Sequence, residues 1–171
     1  MPKWWPFNRE PKVDPEALFR EAEASLRQEL QQKESNGVAR QALINDLETE
    51  GAALEKQEST PEINARLRAI DLIYSELRPQ VMDNLSTGKA HEMAGRIDEA
   101  VACYETAVVD QVATRFPYEH LRIIYNRQSQ YEDALRICDA ALENPFISDK
   151  DHAHFKKWGD RFRSHLESLQ A

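Results

Sequence analysis

The sequence predicts an all-α fold, and three observations carry that prediction. Only 5 Gly occur in 171 residues, whereas Ala, Leu, Glu, Gln and Arg are plentiful, which is a helix-former's composition. Pro2, Pro6, Pro11 and Pro15 crowd the start of the chain, and only Pro61, Pro79, Pro117 and Pro145 punctuate the remainder. Proline starts or stops helices, so this placement leaves long uninterrupted helical segments. No stretch alternates with period two for long enough to make a strand. A collagen-like chain, a disulfide scaffold and a turn-rich β-sandwich are disfavoured.

Residues 1–12 read as an extended, proline-rich aromatic arm, and residues 13–171 as a single all-helical domain. Asp14-Pro15-Glu16 is a helix start, with Asp as N-cap and Pro at the first helical position. That helix carries Phe19, Ala22, Leu26 and Leu30 on one stripe and ends at Ser35-Asn36-Gly37. A second helix is expected from about Val38 to Gln57, and Thr60-Pro61-Glu62 starts a third. Pro79 is expected to separate the third from a fourth, about Gln80 to Ala94. Gly95-Arg96 then turns the chain into a fifth, about Ile97 to Val112. Pro117 opens a sixth and Gln130 to Glu143 forms a seventh, which Asn144-Pro145 breaks. Ser148-Asp149-Lys150-Asp151 resembles a capping box for an eighth helix at about 149–169. Phe155, Trp158, Phe162, Leu166 and Leu169 form its apolar stripe, as expected of a capping helix.

A net charge of -8 argues against non-specific nucleic-acid binding, which needs a basic field. No apolar run is long enough to span a membrane, and the N-terminus lacks the apolar core of a signal peptide. The expected location is cytoplasmic. Cys103 and Cys138 lack metal or redox spacing and read as reduced thiols on apolar helical faces.

An internal repeat is the most specific pattern. Residues 95–108 align with residues 129–142 at an offset of 34. Ala100 pairs with Ala134, Tyr104 with Cys138 and Ala107 with Ala141. Gly88 and the set Tyr118, Leu121 and Tyr125 occupy the preceding helices. On these residues the chain resembles the tetratricopeptide repeat family over about residues 81–145, two repeats. The resemblance implies an antiparallel helix-pair solenoid, flanked by N-terminal helices and closed by the C-terminal capping helix. Residues 38–78 are either a third, degenerate helix pair or an unrelated helical hairpin.

The resemblance also implies a concave groove lined by the first helix of each repeat. The positions concerned are Met82, Leu85, Lys89, Glu92 and Met93, then Phe116, Glu119, Ile123, Asn126 and Arg127. Leu85, Met93, Phe116 and Ile123 would form its apolar floor, with mixed charge at the edges, which suits capture of a peptide or helix. Some members of that family grip a C-terminal carboxylate through paired Lys and Asn. Leu85 and Lys89 stand at the corresponding first-repeat places, so that pair is absent. Trp4, Trp5 and Phe7 form a docking arm, destined for the chain's own helices, a partner's groove or a membrane interface.

No P-loop, dinucleotide fingerprint, metalloprotease or nucleophile-elbow motif occurs. His152 and His154 are two apart and would face different sides of a helix, which disfavours a metal site. No cofactor is expected. The expected function is therefore a non-enzymatic protein–protein interaction module. The alternative is a structural or self-associating scaffold whose groove the N-terminal arm closes. RNA binding through Lys156, Lys157, Arg161 and Arg163 beside Trp158 is a weaker third reading.

Overall fold

Side-chain caps mark where three of the described helices begin. In the computed structural model, which describes residues 14–170, Asp14 Oδ1 accepts from Glu16 N at 3.0 Å and Pro15 opens α1 (Pro15–Ser35). Gly37, at φ 81°, takes the chain out of that helix into α2 (Arg40–Leu54). Thr60 Oγ1 accepts from Ile63 N at 3.2 Å, and Pro61 opens α3. The Ser148 hydroxyl caps α7 (Asp149–Gln170) by accepting from Asp151 N at 3.3 Å, as the sequence predicts.

The described residues hold seven helices rather than eight. α3 runs from Pro61 to Met93 without a break, and Pro79 lies inside it. Proline there removes one intrahelical donor and crowds the carbonyl of Ser75. Both positions are exposed, so water can satisfy the freed carbonyl. Two cores, meanwhile, hold the helix on either side. Leu77 and Tyr74 pack against both cores, and Val81 is buried in the second. A chain break at Pro79 would pull these neighbours apart.

α3 is thus a spine. Its first half packs on α1 and α2 around Leu26, Leu30, Leu43, Leu47, Ile70 and Ile73. Its second half packs on α4 (Ile97–Val109). From there each helix packs mainly on the one before it, through α5 (Phe116–Arg127) and α6 (Tyr131–Glu143) to α7. Phe155 and Phe162 of the α7 stripe are buried, but Leu169 is 65% exposed, since no described residue covers the helix end.

The 34-residue offset is visible in the backbone. α4 and α6 each have 13 residues and begin 34 residues apart. Gly95 and Ser129, at the same offset, both take positive φ, 75° and 59°. The turns close alike: Arg96 N donates to His91 O and Gln130 N to Tyr125 O, each at 2.9 Å. Gly88 marks a close approach of α3 to α4, where an added Cβ would lie 2.6 Å from Tyr104 Cε1. The aromatic ring and the missing side chain are therefore complementary. The repeat units diverge at their ends: Gln111 turns at φ 53°, whereas proline occupies the matching position 145 and cannot.

Ser129 sits where glycine is favoured. Ser129→Gly is expected to stabilise the protein by about 0.5–1 kcal/mol, raising Tm by a few degrees in thermal denaturation. A lowered Tm would show that the turn is not strained.

Candidate functional site

The residues expected to line the groove lie on the second half of α3 and on α5. These helices are bridged side by side. Glu92 Oε2 of α3 meets His120 Nδ1 of α5 at 2.6 Å and accepts from the Tyr104 hydroxyl of α4 at 2.9 Å. Phe116 stacks against His120 at 4.2 Å between ring centroids and stands edge-on to Tyr104 at 5.7 Å. α5 is joined to α7 in the same manner. Glu119 Oε2 meets His154 Nε2 at 2.8 Å, while its other oxygen accepts from Arg122 Nη2 at 2.6 Å. Burial raises the Glu119 carboxyl, but its bonds to Arg122 and His154 outweigh that and hold it below the usual carboxylate range.

Arg122 is 4% exposed, and its guanidinium lies 4.0 Å from the centre of the Trp158 ring. Arg161 stacks on the same indole at 4.8 Å. A buried guanidinium needs both a carboxylate and a polarisable surface to offset its lost hydration, and Glu119 and Trp158 supply them.

The surface is more polar than the expected apolar floor. Leu85 and Phe116 are half-buried and pack on the core, whereas Met82 and Met93 are exposed, Met93 by 80%. Ile123 is half-buried, and Lys89, Asn126 and Arg127 are exposed. Among the described residues, a hollow of about 210 Å³ lies between α2, α3 and the α4–α5 connection, with Ile44, Tyr74, Val81, Met82 and Val112 in its wall and Glu48 and Arg78 beside them. Trp4, Trp5 and Phe7 lie outside the described residues.

His120 belongs to no local sequence motif, and His154 stands out in the sequence only for its spacing from His152. A signal was present, since the two histidines are 34 residues apart and occupy one position of the repeat. His152 and His154 do diverge: His152 Nε2 meets the carbonyl of Asn144 at 2.9 Å. Cys138 is buried, and burial pushes its thiol up to about 12, which leaves it protonated and unreactive at neutral pH. No described helix is long and apolar enough to cross a membrane.

No family model, no curated protein and no solved structure matches this chain.

Proposed function

We propose that this chain is a helical-repeat protein of tetratricopeptide type, a short antiparallel helix-pair solenoid that acts as a non-enzymatic interaction module. A peptide or a partner helix would lie across the second half of α3, α5 and α7. The observation that supports this reading is the lateral bridging of α3, α5 and α7 through Glu92–His120 and Glu119–His154, at 2.6 and 2.8 Å. On this reading the three helices share one broad face and α4 and α6 lie behind it. Side chains on such a face are held in position before a partner arrives, which lowers the entropic cost of binding.

Photo-crosslinking amino acids placed at Met93 and Asn126, with one at exposed Ala102 of α4 as control, test the role in the cells that make the protein. The expected result is a shared crosslinked species from positions 93 and 126 that is absent from 102. Equal crosslinking from all three positions would refute a dedicated face. A product of twice the protein's own mass would favour the self-associating scaffold.

A further inference from the structure

The face joining α5 and α7 is cationic in a chain whose net charge is -8. Of the five carboxylates on the two helices, Asp149 and Glu167 lie in the first and last turns of α7, Asp151 pairs with Arg115 at 3.2 Å, and the other two are engaged. Glu119 is shared between Arg122 and His154, and Asp160 is turned toward Lys156 and Arg163, at 3.3 and 3.0 Å. Arg127, Lys157 and Arg161 remain. All three are exposed, and none forms an ion pair among the described residues. Their register is regular. Arg127 and Arg161 are 34 residues apart and continue the row that begins at Met93, while Lys157 continues the row of Lys89 and Ile123. Glu119–His154 and Arg122–Trp158 hold the two helices against each other, so the cations stand on one surface.

We infer that this surface docks an acidic peptide segment of a protein partner, with carboxylates on Arg127, Lys157 and Arg161 and an apolar side chain near Ile123 and Met93. The inference rests on the proposed interaction role and gives its ligand a chemistry. Charge complementarity selects the occupant. Residues 1–13 carry Lys3, Arg9 and Lys12 against the single acid Glu10, so the chain's own N-terminal segment does not complement the face. A nucleic acid is a poorer match than a peptide. A base needs a free aromatic face to stack on, and the Trp158 ring already carries two guanidinium groups and stacks on Phe162 at 6.0 Å.

The test is fluorescence anisotropy with the full chain and a short fluorescein-labelled peptide rich in Glu with one Leu and one Phe. Binding should weaken as salt rises. It should fall about tenfold in the double variant Arg127→Gln, Arg161→Gln, as expected for the loss of two exposed ion pairs. Lys157→Gln alone should give a smaller loss in the same direction. The double variant Arg20→Gln, Lys56→Gln, which removes two exposed cations elsewhere, should bind as the wild type does; circular dichroism confirms that each variant is folded. Unchanged binding in the α5–α7 variants would overturn the inference, as would tighter binding of a single-stranded polyuridine probe. Absence of peptide binding alongside specific crosslinks from Met93 and Asn126 would also overturn it, while leaving the interaction role standing.

Discussion

Replacing Phe155 by Ala is expected to lower the free energy of unfolding by about 3–5 kcal/mol, the range for truncating a fully buried aromatic. Phe155 has no exposed surface. Its ring lies 6.1 Å from that of Tyr118 at 62°, so it joins α7 to α5 directly. α7 also covers α6, the last helix of the second repeat unit. Removing the ring leaves a cavity that fixed helices cannot close, and Tm should fall by roughly 10 °C. Urea unfolding gives the value. Leu169→Ala on the same stripe is the comparison, since Leu169 is 65% exposed and should change stability by less than about 0.5 kcal/mol. A loss below about 1 kcal/mol for Phe155→Ala would mean that α7 is not an integral part of the core.

Asn144→Ala should cost about 2–4 kcal/mol. The Asn144 side chain is fully buried and ties together elements distant in sequence. Its amide donates to the Val112 carbonyl at 3.1 Å and to the Tyr118 hydroxyl at 2.8 Å, and its oxygen accepts from Phe146 N at 2.9 Å. Alanine would strand all three partners in a region with little water. Burial pushes the Tyr118 phenol up to about 12, and the bond from Asn144 opposes that rise. Adding Tyr118→Phe to Asn144→Ala removes one stranded group, so the double variant should lose less than the sum of the singles. Strict additivity in denaturant unfolding would show that the pair is not coupled.

Asn144 shows how far local reading reaches. In the sequence it is half of an Asn-Pro helix breaker, and the structure does end α6 there. Nothing in its neighbourhood announces that it also bonds Val112 and Tyr118, which are 32 and 26 residues away. The bridging residues behave alike. Glu92 finds His120 across 28 residues and Glu119 finds His154 across 35, and neither pair forms a local motif. The positions expected to line a groove can be picked out in the sequence because they recur at a fixed register. Their exposure cannot, since packing of Leu85 and Phe116 on the core depends on how closely α3, α4 and α5 approach.

Helix content, most helix ends and the 34-residue register follow from the sequence by itself. Caps at Asp14, Thr60 and Ser148, the turn at Gly95 and the small residues at Ala100, Ala107, Ala134 and Ala141 act within a few positions of themselves or repeat at one spacing. Tertiary structure alone decided two other matters. It carried α3 straight through Pro79, because burial of Leu77 and Val81 on either side outweighs one lost backbone bond at an exposed position. It also set which charges of α5 and α7 pair with one another among the described residues. The reason is physical: Coulomb and hydrogen-bond energies depend on distances between helices, and those distances exist only once the helices have packed.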